Sequence, residues 1–218
     1  MSKTEYGVFF DLDGTLIDTA GDLIAALNVL LAERGRAPVG FDQAKGIVSG
    51  GSRRMMRKFL CEPGEDVEPL REKFFAAYES QQHARSRLFA GCEQVLDQLE
   101  EMGVSWAIVT NKPTRFTEPL VAMLGLQGRF CSLVCGDTLP VAKPSPEPLL
   151  AACRECSLAP ENVLFLGDDK VDQQAAAACR MQFAAVGWSD LWTGDHPLVL
   201  NEPSEILTTL AQLGWLDS

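Results

Sequence analysis

No apolar run in this chain reaches the ~18 residues of a membrane-spanning helix. The opening Met1-Ser2-Lys3-Thr4-Glu5 lacks the basic flank and long apolar stretch of a secretory signal. The expectation is a cytoplasmic protein with no membrane partner. Positive charge is also scarce: 19 Lys and Arg stand against 30 Asp and Glu, for a formal charge of −11. That balance argues against a nucleic-acid partner, which rewards clustered basic residues, and an anionic substrate would need local cations to overcome the global field. Internal repeats and low-complexity tracts are absent. The seven cysteines are an odd set in a chain with a large potential core, so a disulfide framework is not expected. Cys153 and Cys156 have a CxxC spacing, but without a neighbouring His or a second CxxC they read as buried reduced thiols.

What is present suffices for one sizeable α/β core and a smaller domain, given 218 residues. Tyr6-Gly7-Val8-Phe9-Phe10 reads as a buried strand. After it, Asp18 or Thr19 can cap a helix carrying Leu23, Leu27, Leu30 and Leu31, with Gly35 suited to its end. A second helix begins near Ser52 with Met55, Met56 and Phe59, and a third runs from Val67 to His83 with Leu70, Phe74, Phe75 and Tyr78. Residues 17–88 therefore read as a helical domain inserted into a core made of 1–16 and 89–218. In that core, a helix over Cys92–Met102 precedes a strand over Val104–Val109. Further strands are expected at 133–135, 163–166 and 184–186, with helices near 114–124, 146–156, 172–180 and 203–213. This alternation predicts an α/β doubly wound parallel sheet.

Each core strand ends in polar residues. Asp11-Leu12-Asp13-Gly14-Thr15 follows the first, Thr110-Asn111-Lys112 another, Gly136-Asp137 a third and Gly167-Asp168-Asp169 a fourth. In an open parallel sheet these carboxyl ends share one rim, so Asp11, Asp13, Thr110, Asp168 and Asp169 would meet there. Crowded carboxylates are costly unless protons or a cation neutralise them. An oxygen-only cluster favours a hard ion, Mg²⁺ above others, with Asp11 and Asp168 as side-chain ligands. Lys143, ahead of a helix, would offset charge and hold a transferring phosphoryl group. Asp11 can attack phosphorus, and Asp13 can protonate the leaving oxygen and then deprotonate water. Thr110 offers a hydroxyl to a phosphate oxygen.

Taken in order, DLDGT at 11–15, Thr110, Lys143 and GDDKVD at 167–172 resemble the four motifs of the haloacid dehalogenase-like superfamily. Within it the chain is similar to the phosphoglycolate phosphatase-like group, including its N-acetylmuramate 6-phosphate phosphatase branch. The resemblance implies Asp11 as nucleophile, Asp13 as general acid/base whose backbone carbonyl also binds Mg²⁺, and Asp168 as the further metal ligand. It implies phosphate contacts from Thr110, Asn111 and Lys143, with Asp172 orienting that shell. The helical segment resembles the family's small cap, which closes over the core and selects a small phosphorylated metabolite. There Gly51, Ser52 and Arg53 offer N–H groups and a guanidinium to an anion, although the same segment also reads as a turn capping the next helix. Arg53 or Arg115 would read a substrate carboxylate.

Two positions depart from the group. Asp169 stands where Ser is usual, and either tightens metal binding or faces solvent. Arg180 stands where glycine is expected, at a left-handed helix end that would strain a non-glycine residue by roughly 1 kcal/mol. The expected activity is a phosphatase acting through an aspartyl phosphate. A phosphomutase shares the core residues, and a catalytically silent binding protein shares the fold but would not preserve the full set. Asp13 argues against a dehalogenase, which lacks that carboxylate. Monomer and homodimer are not distinguished by the sequence.

Overall fold

The computed structural model describes residues 5–81, 83–192 and 194–216. Met1 to Thr4, most of the segment read above as no signal, lie outside them. The chain divides into two compact units, Met1–Ile17 with Leu88–Ser218, and Asp18–Arg87. Strand β1 (Gly7–Phe10) is wholly buried. The short strands β2 (Ile17–Asp18) and β3 (Arg87–Leu88) pair with each other where the chain passes between the units.

The helical unit holds α1 (Ala20–Glu33), α2 (Phe41–Ala44), α3 (Gly51–Phe59) and α4 (Glu68–Ser80). Helix α1 packs on α3 and α4. The buried residues are those with helical periodicity: Leu27, Leu30 and Leu31 on α1, Met55 and Met56 on α3, Leu70, Phe74 and Tyr78 on α4. Asp22, fully buried on α1, accepts hydrogen bonds from the Arg85 amide at 3.1 Å and the Ser86 hydroxyl at 2.6 Å. That carboxylate ties the last segment of the unit to its first helix. Among the described residues, the sequence reading of this region as all-helical carries its third helix past Ser80 to His83 and misses the single-turn α2 and the two-residue strands at the ends.

The other unit continues with α5 (Cys92–Glu101), β4 (Ser105–Val109), α6 (Thr114–Met123), β5 (Ser132–Val134), α7 (Glu147–Cys156), β6 (Val163–Gly167), α8 (Lys170–Ala178), β7 (Gln182–Val186), β8 (Val199–Leu200) and α9 (Glu205–Gln212). Its six strands pair in parallel in the order β5-β4-β1-β6-β7-β8. Strand β1 is central, with Phe10 level with Ile108 on one side and Leu166 on the other. The strand order reverses there, which opens a crevice beyond its carboxyl end.

Side chains alternate between two cores, as the two-residue strand period requires. Val8, Phe10, Trp106, Ile108, Leu164 and Leu166 face α5, α6 and α9 through Leu96, Leu120 and Ile206. Phe9, Ala107, Val109 and Phe165 face α7 and α8 through Leu149, Ala152 and Ala176. The doubly wound parallel sheet expected from the sequence is thus present. Edge strand β8, two residues long, was not anticipated.

The cysteine reading needs correction. Cys156 is bonded to Cys131, 25 positions away, with Cα atoms 5.4 Å apart. Helix α7 packs against β5, which brings its last residue beside the loop entering that strand. Cys153 is free and buried, and burial pushes its thiol up to about 12. Arg180 adopts φ 59°, the left-handed conformation that the glycine preference at this position implied.

Candidate active site

Asp11 is the first residue past β1, and its amide still donates to the Leu166 carbonyl at 2.8 Å. The buried Leu12 and Leu16 anchor the loop that follows, whose amides at 16 and 17 return to the Leu12 carbonyl. Gly14 has φ 86°, and a Cβ there would fall on the Asp168 carboxylate, so glycine is required on both counts. Thr15 is buried and donates from Oγ1 to Asp168 Oδ1 at 3.1 Å. The Trp188 indole donates to the Thr15 carbonyl at 2.9 Å.

From the opposite side come Thr110 and Lys143. The buried Thr110 amide donates to the Val134 carbonyl at 2.9 Å, and its hydroxyl oxygen accepts from the Lys112 amide at 3.1 Å. The hydroxyl proton is left to donate elsewhere. Lys143 Nζ lies 2.7 Å from Asp11 Oδ1, 2.7 Å from the Val109 carbonyl and 2.6 Å from Asp172 Oδ1. Its main chain is clamped by Asn111, whose Nδ2 donates to the Lys143 carbonyl and whose Oδ1 accepts from the Lys143 amide, both at 2.9 Å. The Asn111 side chain is therefore a brace for the lysine.

At the end of β6, a Cβ on Gly167 would collide with the Asp172 side chain, so glycine there lets Asp172 fold back toward the lysine. Asp169 caps α8: its Oδ1 accepts from the Val171 amide at 3.0 Å, and its own amide donates to Asp172 Oδ2 at 3.2 Å. Helix capping accounts for the acidic residue that the sequence left between metal and solvent. Asp137, the other unexplained strand-end acid, accepts from the Thr114 amide at 2.8 Å at the start of α6. Its partial burial is outweighed by the Thr114 hydrogen bonds, which hold the carboxyl below its usual range.

Carboxylate oxygens of Asp11, Asp168 and Asp172 lie within 4.8 Å of one another. Three carboxylates here face one buried ammonium, leaving two formal negative charges uncompensated. The titration follows that deficit. Burial drives the Asp11 carboxyl from its ordinary 3.8 up to about 7, against the pull of Lys143 and with the repulsion of Asp172. Asp168 is raised well above 3.8 by burial and by Asp11 and Asp172, and Asp172 is raised by burial despite Lys143. Burial alone would lower the lysine, but Asp11 and Asp172 outweigh it and hold Lys143 above its ordinary value. Asp168 Oδ2 is buried and has no hydrogen-bond partner among the described residues.

Asp13 stands apart from this cluster, its carboxylate 3.0 Å from the ammonium of Lys112. Lys112 has no role in the sequence reading, because its partner lies 99 positions away. The only signal was a lysine at the same strand end as Thr110. Trp188, which braces the Thr15 carbonyl, is likewise absent from the sequence reading of the site. Among the remaining expected substrate residues, Arg115 opens α6 with its guanidinium over the Phe116 ring at 4.7 Å. Gly51, Ser52 and Arg53 open α3 in the helical unit. There the Ser52 hydroxyl accepts from Arg71 Nε at 3.2 Å, and Arg53 Nε lies 2.7 Å from Glu68 Oε1.

A family model described as haloacid dehalogenase-like hydrolase matches residues 8–186. An N-acetylmuramic acid 6-phosphate phosphatase from Pseudomonas putida is 39% identical over 207 residues, covering 91% of this chain and 93% of the relative. A phosphoglycolate phosphatase from Xanthomonas campestris pv. campestris is 39% identical over 192 residues, covering 88% and 87%. The solved structure of a HAD-superfamily hydrolase from Geobacter sulfurreducens superposes with a TM-score of 0.74 at 22% identity, over 95% of this chain and 97% of that one.

Proposed function

We infer the function from one premise: this chain belongs to the haloacid dehalogenase-like hydrolase family and is a phosphoric monoester hydrolase. We propose that it is Mg²⁺-dependent, acts through an aspartyl phosphate on Asp11, and takes a small phosphate monoester that also carries a carboxylate. Convergence of Asp11, Lys143, Thr110 and Asp168 at the carboxyl ends of β1, β4 and β6 is the observation that carries this reading.

The donor set suits a hard divalent ion. Its oxygens are all carboxylate, its formal charge is two short of neutral, and Asp168 Oδ2 is a buried acceptor without a hydrogen bond. Asp11 and Asp168 would hold Mg²⁺, together with the Asp13 carbonyl that the family resemblance implies. Bound there, the ion supplies the positive charge that lets an anionic nucleophile approach an anionic phosphate.

The protein's own groups carry the remaining steps. The free oxygen of Asp11 attacks phosphorus while Lys143 fixes the other oxygen and neutralises phosphate charge. Asp13 gives its proton to the leaving alcohol oxygen as the P–O bond breaks, then takes one from the water that attacks the aspartyl phosphate. That second displacement releases inorganic phosphate and returns both carboxylates to their starting state. The Thr110 hydroxyl donates to a phosphate oxygen. The helical unit, residues 17–88, acts as the cap, and residues 1–16 and 89–218 make up the core.

Two substrates fit the chemistry and the relatives: 2-phosphoglycolate and N-acetylmuramate 6-phosphate each join a phosphate to a carboxylate. Comparing kcat/KM across a panel of phosphorylated metabolites tests the assignment, and one of these two is expected to lead it. Arg53→Ala and Arg115→Ala should reduce turnover of that leading substrate more than cleavage of an aryl phosphate. Equal losses on both would contradict carboxylate reading by these arginines.

A further inference from the structure

The reaction above gives Lys112 no task, yet the structure invests heavily in its place. Its ammonium lies 3.0 Å from Asp13 Oδ1 and 3.3 Å from Oδ2, a charge-assisted contact to both oxygens that holds the carboxylate in place and restricts how it turns. The lysine side chain is 5% exposed and that of Asp13 21%. This is not a water-screened surface pair of interchangeable geometry. The Lys112 main chain is itself held, its amide donating to Thr110 Oγ1 at 3.1 Å and its carbonyl accepting from the Gly136 amide at 2.9 Å. A backbone anchored at the ends of β4 and β5 thus carries a cation to the loop after β1.

We propose that Lys112 is a positioning residue for Asp13, holding its carboxyl group in the orientation from which one oxygen meets the leaving oxygen of the substrate. The proposal rests on the acid/base role given to Asp13 above. The proton still passes from Asp13 to the alcohol as the P–O bond breaks, and returns from water in the second displacement. Lys112 keeps its protons throughout and touches neither phosphorus nor the leaving group.

A residue that merely supports the fold would, when removed, slow all substrates alike. Misaligning a general acid instead slows a reaction in proportion to its need for a proton, and a strongly activated leaving group needs none. The test is kcat/KM for substituted phenyl phosphates, graded from nitrophenyl to unsubstituted phenyl, with the full-length protein and Mg²⁺. Wild type is compared with Asp13→Asn, Lys112→Met and Lys112→Arg.

Asp13→Asn should steepen the dependence on leaving-group acidity. Lys112→Met should reproduce that steepening, losing on the order of 10²-fold on phenyl phosphate and only a few-fold on the nitrophenyl ester. Lys112→Arg, which keeps a cation able to donate to both carboxylate oxygens, should recover most of the wild-type slope. Where Lys112→Met melts below the assay temperature, Lys112→Gln takes its place under the same criterion. A uniform loss across the series, or none, with Asp13→Asn still steepening it, overturns the role of Lys112. A series on which Asp13→Asn itself has no graded effect overturns the acid/base reading, and this proposal with it.

Discussion

At the scale of single residues the site is a problem of charge. Asp11, Asp168 and Asp172 are buried around one ammonium, so the folded protein retains protons that the unfolded chain would release. For Asp11 the folded value is about 7 against an ordinary 3.8. Below the ordinary value both states hold the proton; between the two values only the folded state does. Stability from this group is therefore full in acid and is lost as pH rises through that window. A divalent ion competes with the same protons, so its stabilisation should grow in the opposite direction. Scanning calorimetry with and without Mg²⁺ should show a larger rise in Tm near ~pH 8 than near ~pH 5, the underlying stabilisation approaching ~2.7 kcal/mol when the ion is ~100-fold above its Kd. An equal gain at both would mean that the ion does not bind this cluster. Asn111 gives a second test. It grips Lys143 only through the main chain, so Asn111→Ala should lower kcat by roughly tenfold or more through misplacement of the ammonium, with little change in KM.

The same residues show what a sequence makes visible. That Asp11, Thr110 and Asp168 share one rim was legible because buried parallel strands read as apolar runs and polar residues gather where those runs stop, whereas Lys143 was picked out by its place ahead of a helix and by the family resemblance. Lys112 was not, since nothing near it in sequence marks its pairing with Asp13. Nor was the Cys131–Cys156 bond, whose partners meet only through the packing of α7 on β5.

At the scale of elements, helix ends account for several residues whose composition suggested chemistry. Asp169 caps α8 and Asp137 receives the first amide of α6. Arg180 is the opposite case, a side chain placed where φ is 59°, just past α8. Replacing it with glycine removes the steric cost of the left-handed backbone but adds freedom to the unfolded chain. Arg180→Gly should therefore stabilise by no more than about 1 kcal/mol, read as a rise in the urea midpoint with an unchanged m-value. A lower midpoint would show that the arginine side chain contributes more than its backbone costs. The elements the sequence missed, β2, β3, β8 and α2, span two to four residues each. Runs that short carry no periodicity to read.

At the scale of the whole molecule, a parallel sheet with its first strand in the centre makes one rim out of segments far apart in the chain. The strand order β5-β4-β1-β6 sets the Asp11 loop between the Thr110 segment and the Asp168 segment. The helical unit enters directly behind that loop, where an insertion interrupts no strand of the six-stranded sheet. On the proposed reading of that unit as the cap, most of substrate choice lies outside the phosphoryl-transfer rim, which is why the core motifs identify the reaction and leave the metabolite to assay. The central claim is that Asp11 carries the phosphoryl group. Its most direct test is mass spectrometry of the protein, intact and after digestion, acid-quenched during turnover with Mg²⁺ and a phosphate monoester. The account predicts a single phosphoryl adduct on the peptide containing Asp11, absent from Asp11→Asn along with phosphate release. Sustained phosphate release by a folded Asp11→Asn variant, or an adduct on another residue, would contradict it.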